Sequence, residues 1–427
     1  MNNKYTYCFA LGNNHSLCKV EIINVLSNKA IDFSIVESSK ETLIIETEIE
    51  LEKHISIDIF GSTAKLIKIY KTIPLDLFFK NHDLVNYDFI DFFVPKNKDK
   101  LMFGLSVYGS GCRFKDLNYS WYLAPTICRD FRDELKTYGI KTGFLPLRER
   151  ILSTVSVDKN KLLTDGFELV LAIGEDTVYI GKTLDVQDYE SYSFRDYNRP
   201  NRDAKSGMIP PKLAKMMINL SGKNKNDLVF DPFCGSGTIL EEMVLLGFKN
   251  IMGTDISDKA INDSKANLKW LFENYKEIKE SEYSIKIKKA DVINISKEFE
   301  NKTIEAIVTE PFLGTPKKSF SLSQASYEIR NLESLYLRAF GEFKKILKKN
   351  GRIVIIFPVF KSQGKFLNLS IVNKIKDLGF EQKNFLPEEY LKDKENLNLE
   401  LTDRNSIIYY RPDQSVSREI FIFENKQ

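Results

Sequence analysis

The sequence predicts an α/β protein: a doubly wound, mostly parallel sheet in the C-terminal half, preceded by an α+β region. Three observations carry this. Residues 228–240 read LVFDPFCGSGTIL, an apolar run ending at Asp231, a turn through Gly235 and Gly237, and then helical spacing at Ile239, Leu240, Met243, Val244 and Leu246. Three further strand candidates follow, at 250–254, 283–288 and 304–309, and they run into Asp255, Asp291 and Glu310. Ahead of all this, residues 5–70 alternate in the order βαββαβ.

Length and composition bound the rest. A chain of 427 residues holds about three modules of ordinary size, and 43% apolar with 28% charged residues describes a globular protein with an ample core. No apolar run approaches about 18 residues, and Met1-Asn2-Asn3-Lys4 opens no signal peptide, so a cytoplasmic protein without a membrane partner is expected. The five cysteines lie apart, with no C-x-x-C pair, which gives neither a zinc site nor a disulfide framework. A net charge of +3 requires any nucleic-acid surface to be local.

Four segments are expected: 1–90, a ferredoxin-like domain; 91–190, a second α+β domain; 191–220, a basic linker and helix; and 221–427, the doubly wound domain. In the first, strands are read at 5–11, 33–36, 43–47 and 64–70, with helices at 16–26 and 51–59. In the second, a strand at 101–108 precedes a helix at 125–138 that starts on Pro125 and stops at Gly139. Strands at 151–157, 168–173 and 177–180 complete it. Lys136, Lys141, Arg148 and Arg150 are its candidate phosphate partners, although a solvated charged face explains each equally well taken singly. Residues 193–225 carry eight Lys or Arg, Arg195, Arg199 and Arg202 among them, against two Asp, a strip suited to a nucleic-acid backbone. Pro210 and Pro211 open the helix that follows.

The glycine turn has room for a flat polar ligand, because glycine adopts positive φ and puts no Cβ against it. A dinucleotide fingerprint needs a third glycine where Leu240 stands, and the strand before the turn already ends in Asp231. An acid there suits a ligand with an ammonium group, and S-adenosylmethionine has one. Asp255 is placed for a ribose diol and Asp291 for an adenine amino group. Any one of these acids alone is more simply a helix cap; three after successive strands are harder to dismiss. Glu310-Pro311-Phe312-Leu313 then stands where open α/β sheets carry their chemistry. A carboxylate and a rigid backbone carbonyl that accept the two hydrogens of a nucleobase amine localise its lone pair and aim it at a methyl donor, while an aromatic ring stacks on the extruded base.

In the order DPFCGSG, GTD, ADV and IVTEPFLG the chain resembles the class I, Rossmann-like methyltransferases of exocyclic base amines. Phe9-Ala10-Leu11-Gly12, Lys141-Thr142-Gly143 and Lys159-Asn160-Lys161-Leu162 resemble a THUMP-containing tRNA methyltransferase group, which implies that 91–190 is a THUMP-like RNA-binding domain. R-D-x-x-R-P-x-R-D at 195–203 and G-M-x-P-P-K-L-A from 207 resemble the tRNA guanosine N2-methyltransferases that act at position ten. The resemblance implies S-adenosylmethionine as cofactor, tRNA as partner, and cofactor contacts at Gly207, Met208, Pro210, Asp231, Cys234, Gly235, Ser236, Gly237, Asp255, Ile256, Asp291 and Val292. It implies catalytic roles for Glu310, Pro311, Phe312 and Leu313. The pattern departs from the family here, since Glu310 stands where Asp or Asn is usual, Phe312 replaces the second proline, and Leu313 takes the aromatic place; a gapped reading would put Thr309 at the carboxylate position. The alternatives are an adenine N6 or cytosine N4 methyltransferase, or a tRNA-binding protein that holds cofactor without turnover. The enzymatic reading expects Glu310 to open on the donor cleft; turned to a partner cation, or beyond a side chain's reach of that cleft, it would leave only the binding role. A small activating protein partner, the number of methyl groups added and the oligomeric state are not fixed by these residues.

Overall fold

The computed structural model describes residues 4–80, 84–96, 98, 100–202, 208–299, 302–317, 319–410 and 414–427. They form two compact units: Met1–Lys19, Lys29–Glu190 and Glu388–Leu399 in one, Val20–Asn28, Ser191–Pro387 and Glu400–Gln427 in the other.

The first unit is built on one eight-stranded sheet. Its strands follow one another in the order Phe33–Ser38, Thr42–Thr47, Tyr5–Leu11, Thr63–Pro74, Thr177–Val186, Phe167–Ile173, Lys100–Gly109 and Lys141–Phe144. Because Thr63–Pro74 pairs with Thr177–Val186, the sheet runs straight through the boundary expected near residue 90. Buried Phe89, Phe93, Phe103, Phe131 and Phe167 form its main core, with Phe89 and Phe93 stacked at 4.1 Å. At the centre of the sheet the buried Lys65 amine meets Glu168 at 2.5 Å, and Ser106 and Thr183 donate to the same carboxylate, so the charge is paired and hydrogen-bonded.

Several expected elements differ. The helix at 51–59 is two 3₁₀ turns, Leu51–Lys53 and Ile57–Ile59, because the Ser56 hydroxyl accepts the Asp58 N–H and caps the second turn. The helix expected from Pro125 starts eleven residues earlier as Phe114–Thr137, with Pro125 inside it. The buried face of Ala124, Ile127, Cys128, Phe131 and Leu135 outweighs the local cost of the proline. Its stop is as expected, with Gly139 at φ 78 and its N–H donating to Lys136. The strand expected at 151–157 is a short helix, Thr154–Lys159, capped by Ser153. The charged, Asn-rich segment 392–404, which its composition predicts to be a mobile loop, is packed in part, with Leu397 buried and its carbonyl accepting from Lys19 at 2.6 Å.

The second unit is a nine-stranded sheet whose strands we number β1 (Leu228–Asp231), β2 (Asn250–Asp255), β3 (Ser284–Lys289), β4 (Ile304–Thr309), β5 (Leu347–Ser362), β6 (Lys365–Asn368), β7 (Phe380–Gln382), β8 (Ile407–Tyr409) and β9 (Val416–Asn425). The order is β3-β2-β1-β4-β5-β9-β7, parallel through β5, after which β9 and β7 run antiparallel. The sequence predicts a terminal hairpin of strands at 406–410 and 419–423, and β8 pairs with β9 in that way, although Pro412 and Asp413 of the connection lie outside the described residues. Helices α1 (Pro211–Leu220), α2 (Thr238–Leu245), α3 (Asp258–Asn274) and α4 (Leu322–Ile346) belong to the same unit. Apolar spacing predicts a helix over 335–347, whereas α4 starts earlier, at a capping box between Ser321 and Gln324. Strand order reverses between β1 and β4, which leaves a crevice at their carboxyl ends. Among the described residues no helix is long and apolar enough to cross a membrane, and no cluster of metal-ligating side chains occurs.

Candidate active site

A cavity of about 490 Å³ opens at that crevice. The β1–α2 turn forms its floor. Gly235 sits at φ 51, and a Cβ there would meet nothing within 4 Å, so the backbone is open to a ligand. Gly237, at φ 92, is the N-cap of α2 and does not line the cavity; a Cβ on it would fall 2.5 Å from the Ser264 hydroxyl. The glycines thus serve different ends, one ligand access and the other packing.

The three acids after β1, β2 and β3 all line the cavity and share a local geometry. Each accepts the N–H two residues on: Asp231 from Phe233 at 3.1 Å, Asp255 from Ser257 at 2.9 Å, Asp291 from Ile293 at 3.2 Å. Their carboxylates are aimed by their own turns. Asp291 also caps the 3₁₀ helix Val292–Glu298, so the helix-cap reading and the cavity-lining reading both hold. Asp255 reaches back to the Gly235 N–H at 3.1 Å and ties β2 to the glycine turn. Asp231 is 1% exposed and accepts the Thr309 hydroxyl at 2.6 Å on the oxygen that takes Phe233. Burial pushes its carboxyl up to about 7, against hydrogen bonds that lower it, so the ordinary value near 4 expected from sequence does not apply. A buried acid of this kind is better ionised beside a cation, which is the fit an ammonium-bearing ligand offers.

Met208, Cys234, Ser236, Ile256 and Val292 also line the cavity. Burial pushes the Cys234 thiol up, as befits a small packed residue. Pro210 caps α1 and is not part of the wall. Gly207 lies outside the described residues.

Glu310, Pro311, Phe312 and Leu313 form the opposite wall, together with Leu335 of α4. Phe312 is 52% exposed, and its carbonyl accepts the hydroxyl of buried Tyr336 at 2.7 Å, which pins the loop to α4. Thr309 is fully buried and committed to Asp231, which rules out the gapped reading. Glu310 corrects the expectation of an unpaired acid: Arg418 on β9 donates to its Oε1 at 2.5 Å, with side-chain exposures of 4% and 9%. A carboxylate has room for about four hydrogen bonds, so Oε2, at 3.5 Å from the guanidinium, retains accepting capacity, and Glu310 lines the cavity. Neither Arg418 nor Tyr336 is marked by any local motif.

The basic strip is corrected more sharply. Arg195 and Arg199 are buried, not presented to a polyanion. Arg195 donates to Glu242 at 2.7 Å, while Arg199 donates to Glu241 at 2.9 Å and to Thr238 at 2.7 Å, so both dock on α2. Arg199 also reaches the Met208 sulfur on the cavity rim at 3.0 Å. The missed signal was Glu241-Glu242 in an otherwise apolar helix, since buried acids require partners. Arg202 is exposed and stacks on Tyr197 at 4.9 Å. In the other unit Lys136, Lys141 and Arg148 are exposed, whereas Arg150 is held by both oxygens of Glu41.

Comparison with known proteins agrees with this architecture. A family model described as an RMKL-like methyltransferase domain matches residues 199–379, and one described as a DNA methylase matches 129–266. A tRNA (guanine(10)-N2)-dimethyltransferase of Methanocaldococcus jannaschii is 33% identical over 197 residues, 44% of this chain and 48% of that protein. The chain thus spans about half the length of that relative. A "Probable tRNA (guanine(10)-N2)-dimethyltransferase" of Methanothermococcus thermolithotrophicus is 32% identical over 146 residues, 34% of this chain and 77% of that protein. The crystal structure of TrmN from Thermus thermophilus superposes with a TM-score of 0.52 at 13% identity, over 98% of this chain and 99% of that one, a likeness of fold. With the strand order and the four strand-end motifs in one cavity, these matches assign the chain to the class I methyltransferase family that includes the tRNA (guanine(10)-N2)-dimethyltransferases.

Proposed function

We propose that this protein transfers methyl groups from S-adenosylmethionine to the exocyclic N2 of a guanosine in tRNA, at position ten. The observation that carries the proposal is the convergence of Asp231, Asp255 and Asp291 with Glu310 and Phe312 on a single cavity. When bound, the cofactor supplies an electrophilic methyl group. Asp231 is the carboxylate for its ammonium, Asp255 for the ribose diol and Asp291 for the adenine amine, while Ile256 and Val292 offer apolar contact. Glu310 Oε2 and the Pro311 carbonyl accept the two amine hydrogens, which concentrates the lone pair on nitrogen. As nitrogen is alkylated, its proton passes to the carboxylate, which need not be a strong base. Phe312, half exposed at the cavity, stacks on the extruded base. The unit built on the eight-stranded sheet is read as a ferredoxin-like and THUMP region that grips tRNA through exposed Lys136, Lys141 and Arg148, with Arg202 contributing from the methyltransferase unit.

A second reading, in which the protein binds tRNA and cofactor without turnover, is favoured by the Arg418 bridge on Glu310. A third, a DNA or RNA amine methyltransferase of other base specificity, is favoured by the match to the DNA methylase model. One experiment separates them: the purified protein is incubated with methyl-labelled cofactor and unmodified tRNA, and the nucleic acid is digested to nucleosides. Label in N2-methylguanosine or N2,N2-dimethylguanosine supports the proposal. Label in another base supports the third reading, and tRNA binding without label supports the second.

A further inference from the structure

Arg418 lies within β9, opposite Pro358 of β5 and Tyr409 of β8, so its backbone is held on both sides. Its side chain is 4% exposed. Nε donates to Glu310 Oε1 at 2.5 Å, Nη1 to the Gln414 side-chain oxygen at 2.9 Å, and Nη2 to the Met208 carbonyl at 3.4 Å, with Glu310 Oε2 at 3.5 Å. Met208 and Glu310 both line the cavity, and Arg418 joins them.

We propose that Arg418 is the positioning residue that makes a glutamate workable at the amine-holding place: it fixes Oε1 and leaves Oε2 for a hydrogen of the substrate amine. The proposal rests on the methyltransferase reading. Glutamate has one more rotatable bond than aspartate, so an unanchored Glu310 would spread its carboxylate over several rotamers. A planar guanidinium removes that freedom, because its fork matches a carboxylate in direction as well as charge. It also pulls down a carboxyl that burial holds above its usual range, and so favours the accepting form. Burial pushes the Glu310 carboxyl up and Arg418 pulls it down, while the other titratable groups bearing on it, Asp231 from β1 and Tyr336 from α4, are acids that add no positive charge. A protonated Glu310 would lose an acceptor at the atom where the amine needs one.

The test uses the full chain, with and without Arg418→Met and Arg418→Lys. The Glu310 carboxyl is followed by ¹³C NMR of glutamate-labelled protein, its signal assigned by loss in Glu310→Gln, and this reading needs neither cofactor nor tRNA. In Arg418→Met the Glu310 midpoint is expected to rise by about one pH unit or more. The acid limb of kcat should move the same way, and kcat should fall roughly 100-fold, a typical cost of misplacing a reacting group, with cofactor-product affinity unchanged within about threefold. Arg418→Lys, which keeps the charge without the fork, should hold the midpoint near wild type while kcat falls about tenfold; it carries the test alone if Arg418→Met does not fold. An unmoved Glu310 midpoint in Arg418→Met, or wild-type kcat in Arg418→Lys, would overturn the proposal. Absence of product from the wild-type protein would count instead against the proposed function, and the ¹³C midpoints would still decide the role of Arg418.

Discussion

The two walls of the cavity are held by different means. On the donor wall Asp231, Asp255 and Asp291 each take an N–H two residues away, so the strand end that places the carboxylate also orients it. On the acceptor wall Glu310 is oriented by a guanidinium 108 residues further along and Phe312 by a phenol 24 residues on. A wall built from local turns is specified by short motifs, whereas a wall built by tertiary pairing depends on strands that meet only when the sheet closes. Arg199 makes the donor rim a partial exception, since its tie to α2 and Met208 spans many positions.

That contrast yields an ordered set of expectations. The largest effect is on stability: Arg199→Met strips the partner from buried Glu241 and should cost about 3 kcal/mol or more in denaturant unfolding. Burial already pushes the Glu241 carboxyl up to about 7, so the loss should shrink at pH 6, where the acid protonates, and grow at pH 8. An unfolding curve unchanged by the substitution would show the rim to be held locally after all. Next comes Glu310→Gln, which removes the acceptor without changing shape and should lower kcat by roughly 100-fold or more, with the affinity for the cofactor product within about threefold. Equal losses in both would break the division between the walls. Asp255→Ala should do the reverse, weakening calorimetric binding of the cofactor product by about 10- to 100-fold, the range for a lost charge-assisted hydrogen bond.

The smallest expected effect concerns Asp231. Its folded value of about 7 lies above the ordinary 3.8, so the ligand-free fold favours the protonated acid, and this contribution fades as pH rises from about 4 to 7. Asp231→Asn should therefore raise the melting temperature of the ligand-free protein by a few degrees at pH 8 and little at pH 4. In the wild type, affinity for the ammonium-bearing ligand should fall as pH drops below about 7, and a flat profile would mean that Asp231 does not meet the ammonium.

Much of the second unit was legible, because β1, β2 and β4 are buried parallel strands that read as apolar runs with an acid at or directly after their ends. The helix stop at Gly139 and the β8–β9 hairpin were read on the same local terms. The failures share a cause. Arg195 and Arg199 look the same in a sequence as Arg202, yet only burial against Glu241 and Glu242 separates them. Pro125 punctuates a helix locally, but the apolar face around it continues and wins. The boundary near residue 90 looked like a domain break because strand pairing between distant segments leaves no local mark.

By itself, then, the sequence determined which residue types stand at the four strand ends and where the backbone must turn without a side chain, since both are properties of a few neighbouring residues. Tertiary structure alone decided which cations are buried, which acids they neutralise, and that Glu310 shares its charge with Arg418. Charge pairing inside a protein depends on the distance and dielectric between groups that folding brings together, and neither quantity exists before the sheet has formed.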